Sequence, residues 1–270
     1  MSLRIATAQF PATPEKHDNR DSITALVEQA AAEGARLVVL PENAMYSHPD
    51  SSTDLFPIAE SLEGDFVQFI ARSARTHNIW IVIGMTESVP DLRKVHNTVI
   101  AVDDQGRLAA QYRKVHLYDA FGYRESDAVE PGVITDPATF TVDGITVGLM
   151  TCYDLRFPES ARRVTDAGAS VIALPAAWVA GPMKEDHWWT LLRARALENT
   201  VYVVASGQTG PVCIGQSAII DPFGVVTAAA GPHPGVISSK VSNERVTEVR
   251  QTVPVLGHRR FSVVERAVNV

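Results

Sequence analysis

The sequence predicts an α/β fold in which mixed β-sheets are layered against helices. Apolar strand-like runs alternate with amphipathic helical stretches in both halves of the chain. Antiparallel hairpin signals interrupt that alternation at the centre and again near the end. A third observation is the run 80–85, almost continuously apolar and bounded by turn residues, as a strand covered on both faces requires.

Residues 3–10 read as a first strand. Ile23, Leu26, Val27, Ala30 and Ala31 then form an i, i+3, i+4, i+7, i+8 stripe, and Gly34 is placed to stop that helix. A strand over 36–40 follows, and a second helix over 66–77 puts Phe66, Phe69, Ile70 and Ala74 on one face. Beyond the strand at 80–85, residues 96–103 and 107–114 read as strands joined at Asp104-Gln105-Gly106. Residues 139–142 and 145–151 flank Asp143-Gly144, a strong signal for a two-residue hairpin turn. A helix starts at Pro158, where a missing N–H costs nothing, and ends near Gly168. Strand 170–174, helix 186–199 and strand 201–206 complete the second alternation. A hairpin over 214–220 and 225–229 turns at Asp221-Pro222-Phe223-Gly224; a last strand spans 237–241, and Ser242 is placed to cap a short helix. The longest stretch without periodicity is 119–137, and long loops in compact domains are usually functional. Without a linker, composition shift or repeat of fixed period, 1–270 reads as a single domain.

Composition narrows the functional classes. Apolar residues make up 46% and charged residues 20% of 270, ordinary values for a globular chain. The formal charge is −7 with signs intermixed, so no basic stripe suits nucleic acid. No apolar run reaches the length of a membrane span, and the N-terminal segment lacks a signal-peptide core. Two cysteines do not make a disulfide framework and suit a reducing compartment, so a cytoplasmic location is expected.

The chemistry concentrates at strand ends. Cys152 stops the run Val147-Gly148-Leu149-Met150-Thr151, Glu42 closes Leu37-Val38-Val39-Leu40-Pro41, and Lys114 closes Ala110-Gln111-Tyr112-Arg113. Ligands of open α/β sheets bind at the carboxyl ends of strands. A thiol becomes a strong nucleophile as thiolate; an ammonium favours the thiolate, and a carboxylate can take its proton. The same ammonium and the Tyr153 backbone N–H would stabilise the oxygen of a tetrahedral intermediate. Each residue alone has a plainer explanation: a free cysteine is often a small buried hydrophobe, and a strand-end charge is usually just paired. Cys213, with no charged neighbours, fits that plainer role. A papain-like Cys/His pair lacks its sequence context around Cys152.

Taken together, these residues resemble the nitrilase superfamily of carbon–nitrogen hydrolases. The motifs are Leu40-Pro41-Glu42-Asn43, Tyr112-Arg113-Lys114-Val115-His116-Leu117-Tyr118-Asp119 and Cys152-Tyr153-Asp154-Leu155-Arg156-Phe157-Pro158-Glu159. Leu174-Pro175-Ala176-Ala177-Trp178 and Arg193-Ala194-Arg195-Ala196-Leu197-Glu198-Asn199 support them, in order along essentially the whole chain. The resemblance implies a four-layer α-β-β-α sandwich with two mixed β-sheets and no metal or organic cofactor. It also implies a homodimer extending to eight layers, with the tail of about 254–270 at the subunit interface. It casts Glu42 as general base, Lys114 as oxyanion-stabilising amine and Cys152 as nucleophile. A second glutamate maps onto Glu125, with Glu130 as the alternative. The octapeptide after Cys152 is similar to the deaminated-glutathione amidase and omega-amidase branch. Gln216 stands where relatives often have histidine, and Val179-Ala180-Gly181-Pro182-Met183 has no counterpart in the motifs.

For the substrate, Arg156 is a candidate fork for a carboxylate remote from the scissile amide, with pairing to Asp154, Glu159 or a subunit partner as the structural alternative. Trp178 is a candidate pocket wall, as is Tyr153. Arg195 and Glu198, at i, i+3, read as a structural pair. His187, Trp188 and Trp189 could line the site or a subunit contact. The leading function is hydrolysis of a small carboxamide to acid and ammonia. The alternatives are an N-carbamoyl compound hydrolase, a nitrilase with the same triad, or a silent binding protein of this fold.

Overall fold

The computed structural model describes residues 2–48, 53–90 and 92–266. The tail expected at a subunit interface falls partly outside them, at 267–270. Two six-stranded sheets pack face to face, each covered on its outer side by helices. The first contains β1 (Ser2–Gln9), β2 (Leu37–Val39), β3 (Trp80–Ser88), β4 (Val95–Val102), β5 (Leu108–Arg113) and β14 (Gly235–Ser242), in the order β14-β1-β2-β3-β4-β5. Helices α1 (Lys16–Ala32) and α2 (Asp65–His77) cover it. The second runs β13-β12-β11-β10-β9-β8, from β8 (Thr139–Val142), β9 (Ile145–Leu149), β10 (Val171–Ala176), β11 (Tyr202–Gly207), β12 (Ala218–Ile220) and β13 (Val226–Ala229). Helices α3 (Pro158–Asp166) and α4 (Lys184–Asn199) cover that face, and α5 (Asn243–Thr252) follows β14.

The period-2 alternation of the strands explains the four layers. Ile5, Leu37, Val39 and Val82 face inward to meet Val147, Leu149, Val171, Ala173 and Val204 of the other sheet. Their neighbours Ala6, Val38, Ile81 and Ile83 face outward beneath α1 and α2. Ile172, Leu174, Val203 and Ala205 do the same beneath α3 and α4, around the fully buried Trp188. Buried hydroxyls also bridge the sheets, with Thr7 Oγ1 donating to Ala205 O at 3.0 Å and Ser206 Oγ to Ala8 O at 2.5 Å.

The two sheets repeat one topology without a visible sequence repeat. In each, three parallel strands joined by helices (β1-β2-β3 and β9-β10-β11) are followed by an antiparallel pair (β4-β5 and β12-β13). An antiparallel edge strand, β14 or β8, flanks the first of the three. Right-handed β-α-β crossovers favour this solution for consecutive parallel strands.

Several local expectations hold. Asp143 and Gly144 both have positive φ, 46° and 80°, as the two-residue turn demands. Ser242 Oγ accepts from Arg245 N at 3.1 Å and caps α5. Two differ. The stretch 119–137 is not without structure: β6 (Asp119–Ala120) and β7 (Tyr123–Arg124) form a small hairpin, followed by a single turn at Glu125–Asp127. Strand β12 begins at Ala218 rather than at 214, because Gly215 and Gln216 have φ of 66° and 55°, outside the extended region.

Candidate active site

Beyond β2, Leu40-Pro41 carries the chain to Glu42 at the carboxyl edge of the first sheet. Gly84 of β3 makes room for it: a Cβ there would lie 2.6 Å from Glu42 Cα and 2.8 Å from Asn43 N. The Gly84 amide donates to Pro41 O at 3.0 Å, and Gln208 Nε2 to Glu42 O at 2.7 Å. The Glu42 backbone is thereby clamped from both sheets, and its side chain points into the space between them.

Lys114 follows β5 and is tied by its amide to Asn97 O and by its carbonyl to Gly132 N, both at 2.9 Å. Its Nζ lies 2.9 Å from Glu42 Oε1 and 2.9 Å from Glu125 Oε2. Asn97 Nδ2, from β4, donates to the same two carboxylates at 2.8 and 3.0 Å. Glu125 is held in turn by Tyr118 N at 2.6 Å. The whole cluster is buried; Glu42 and Lys114 are each 2% exposed.

Cys152 comes just after β9, at φ 42°, a left-handed conformation unusual for a residue with a side chain. It opens a single helical turn, Cys152–Arg156, directly from the sheet. Asp154, fully buried, organises that turn. Its Oδ2 accepts from Thr151 N at 3.0 Å and Tyr112 OH at 2.8 Å, and its Oδ1 lies 2.7 Å from His116 Nδ1. His116 stacks on Phe157 with ring centroids 3.8 Å apart. Thr151 Oγ1 donates to Pro175 O at 2.9 Å, and Arg195 Nε to Leu155 O at 3.0 Å. A strained backbone persists only when its surroundings over-determine it, and these contacts do so.

The protonation pattern follows from burial and charge. Burial alone would raise the Glu42 pKa, but the Lys114 charge and hydrogen bonds from Cys152, Lys114 and Asn97 outweigh it and hold the carboxyl below its usual range. Burial also works against the Lys114 ammonium; Glu125, Glu42 and Cys152 overcome it and push its pKa well up. For Cys152, burial and the Glu42 charge raise the thiol well above its usual value, against the opposing Lys114. The resting arrangement is therefore a neutral thiol on a carboxylate, beside an ammonium. Tyr153 N–H lies in the first turn after the thiol, where helix amides lack intrahelical acceptors.

These groups share the wall of a cavity of about 830 Å³. Glu42, Lys114, Cys152, Glu125, Tyr153 and Trp178, six residues singled out in the sequence, all line it, together with Lys184 and Cys213. Arg156 is not on this wall; its guanidinium lies 5.0 Å over the Trp178 ring and contacts His187 Nδ1 at 3.3 Å, not Asp154 or Glu159. Glu130 is 3.5 Å from Lys94 instead of Lys114. Arg195 and Glu198 pair at 2.8 Å. Trp188 and Trp189 both donate to Gln216, to its carbonyl and side-chain oxygen respectively, and Gln216 does not line the cavity. Both cysteines are free, and burial lifts the Cys213 thiol to about 12.

Sequence reasoning missed Asn97 and Lys184, and named Asp154 only as a possible partner of Arg156, not as the residue that holds the turn after Cys152. Asn97 had a faint signal, the middle of a polar run His96-Asn97-Thr98 before the apolar half of β4, whereas Lys184 had none. Among the described residues no group of three or more His, Cys, Asp and Glu side chains could hold a metal ion. No helix among them is long and apolar enough to cross a membrane.

The chain is similar to known proteins over nearly its whole length. Residues 4–251 match the family model described as carbon-nitrogen hydrolase. A protein of Escherichia coli O157:H7 named deaminated glutathione amidase is 44% identical over 262 residues, covering 96% of this chain and 98% of that protein. The rat protein of the same name is 34% identical, covering 95% of this chain and 82% of its own. Among solved structures, Saccharomyces cerevisiae Nit3, of the nitrilase superfamily, superposes with a TM-score of 0.85 at 29% identity, covering 96% and 97% of the two chains. A mutant amidase of Nesterenkonia sp. AN1, bearing the acetamide moiety of fluoroacetamide on its active-site cysteine, gives 0.79 at 25% identity, covering 93% and 96%. With a family match across most of its length and relatives above 30% identity over nearly all of it, this chain belongs to the carbon–nitrogen hydrolase family, as a member of the nitrilase superfamily.

Proposed function

We propose that the enzyme is a thiol amidohydrolase that cleaves the C–N bond of a small carboxamide carrying a second, unreactive carboxylate. One observation carries the reading: the Cys152 thiol, the Glu42 carboxylate and the Lys114 ammonium meet on one cavity wall. Glu42 takes the Cys152 proton as sulfur attacks the amide carbon. The oxyanion that forms is met by Lys114 and the Tyr153 N–H. Glu42 returns the proton to the departing nitrogen, and ammonia leaves a thioester on Cys152. The freed carboxylate then activates water, which attacks the thioester carbon. As that intermediate collapses the proton returns to sulfur, and an acid is released. Glu125 and Asn97 keep Lys114 charged and aimed. The relatives named deaminated glutathione amidase support an amide as the substrate class.

The test is ammonia release from a panel of ω-amides, N-carbamoyl compounds and nitriles. Ammonia with an acid supports the proposal; ammonia with carbon dioxide, or consumption of a C≡N group, would point to the other chemistries open to the same three residues. Cys152→Ala should abolish turnover with little change in Tm, and retained hydrolysis would remove Cys152 from the mechanism.

A further inference from the structure

Lys184, the first residue of α4, is 4% exposed, yet among the described residues it forms no ion pair with an Asp or Glu. Buried lysines are seldom left so, because an ammonium taken out of water needs a counter-charge. Three rings surround it instead: its Nζ lies 4.7 Å from the Trp178 centroid, 4.8 Å from Phe121 and 5.1 Å from Tyr118. Ring faces attract a cation without neutralising it. The Tyr118 hydroxyl, at 3.3 Å, uses one of its three donors. Burial lowers its pKa and the Arg156 charge lowers it further, against the opposing influence of Cys152 and Cys213.

Arg156 repeats the pattern one layer back. It lies over Trp178 and Phe121, its Nε is buried without a partner, and no carboxylate among the described residues pairs with it. Two cations thus share the Trp178 and Phe121 rings, with no carboxylate among the described residues paired to either. Of these two, Lys184 and not Arg156 reaches the wall of the cavity that holds Cys152. Its backbone is fixed: Lys184 N donates to Gly181 O at 3.1 Å and Lys184 O accepts from Trp178 Nε1 at 2.8 Å. The cage therefore presents a preorganised positive charge rather than a mobile one.

We infer that Lys184 anchors a carboxylate carried by the substrate at the end remote from the scissile amide, and so sets the preference for acid-bearing amides. This rests on the cavity being an amidase site. Glutaramate and pentanamide, which share a chain length and differ in the terminal carboxylate, are the probes. In Lys184→Met, the ratio of kcat/KM for glutaramate to that for pentanamide should fall about 10- to 100-fold, the worth of a hydrogen bond between charged groups. The loss should appear in KM. Lys184→Arg should recover part of it, and Lys184→Gln, which keeps a polar stem, should show the same loss if the methionine variant folds poorly. Equal losses on both amides would make Lys184 merely structural and overturn the inference.

Calorimetry separates this proposal from the functional one. Glutaramate should bind Cys152→Ala at least about ten times more tightly than it binds Cys152→Ala/Lys184→Met. If the wild type hydrolyses neither amide but this difference persists, the anchor stands and the amidase reading falls. If the wild type hydrolyses glutaramate and neither ratio nor affinity responds to Lys184, the anchor falls alone.

Discussion

Replacing Lys114 with methionine keeps most of the side-chain volume and deletes the charge that two carboxylates share. Glu42 Oε1 and Glu125 Oε1 lie 2.9 and 3.1 Å from Nζ, so they are at most about 6 Å apart. With the ammonium gone and an effective dielectric of about 20, two carboxylates at that separation repel by roughly 3 kcal/mol. That is equivalent to about two pKa units, enough for one of the pair to hold a proton well above its ordinary range. Removing one partner from a buried ionic cluster typically costs about 3–5 kcal/mol at neutral pH. In the wild type, Glu42 sits below its usual value; its contribution to stability is present above the unfolded carboxylate pKa and lost as pH falls through the lower folded value. In Lys114→Met the raised carboxylate behaves oppositely, contributing below the unfolded pKa and losing that contribution as pH rises through the raised one. Urea unfolding at a series of pH values should therefore show a stability gap that is widest at neutrality and narrows towards about pH 4. Turnover should drop by roughly 10²–10³, as for loss of an oxyanion donor. A variant as stable as wild type at pH 7, with a gap independent of pH, would refute the shared-charge account.

Gly84→Ala places a methyl 2.6 Å from Glu42 Cα, where backbone must move. It should cost about 1–3 kcal/mol in urea unfolding and, by displacing the base, lower kcat by roughly 10²-fold; an unchanged kcat would show that Glu42 need not sit where β3 puts it. Because Glu42 titrates below its usual range, kcat/KM should stay flat as pH falls from 7 through the ordinary carboxylate region and bend only beneath it. An acid limb already falling at about pH 6 would argue against Glu42 as the base. If the tail from about residue 254 is covered by a second copy, then its exposed Phe261 and Val264, 91% and 78% accessible in the single chain, become buried in a dimer. Deleting 254–270 should then shift sedimentation from dimer towards monomer, and a full-length monomer would sink that expectation.

Most of the secondary structure was legible because its signals are local. Strand-like apolar runs in β1 and β3, a period near 3.6 in α1 and α2, Asp143-Gly144 in the turn and Ser242 at a cap each act within a few residues. The unexpected β6-β7 hairpin is only two residues per strand, too short for any period to show. Strand ends also advertised Glu42, Lys114 and Cys152, since polar groups closing apolar runs stand out against their neighbours.

What the chain alone determined, then, was which residues are candidates for chemistry and the elements that bear them. Which of those residues meet was decided by sheet order and sheet packing. Asn97 reaches Glu42 and Glu125 because sheet order sets β4 between β3, which neighbours β2, and β5, which leads to Lys114 and the loop bearing Glu125. Asp154 matters through Tyr112 and His116, some forty positions earlier. Lys184, for which the sequence carried no signal, reaches the cavity wall where Arg156 was expected, because the turn after Cys152 sends the guanidinium over Trp178 while α4 brings the ammonium to the cavity. Contacts of this kind depend on the direction of each side chain across a long loop closure, and no local pattern encodes that direction.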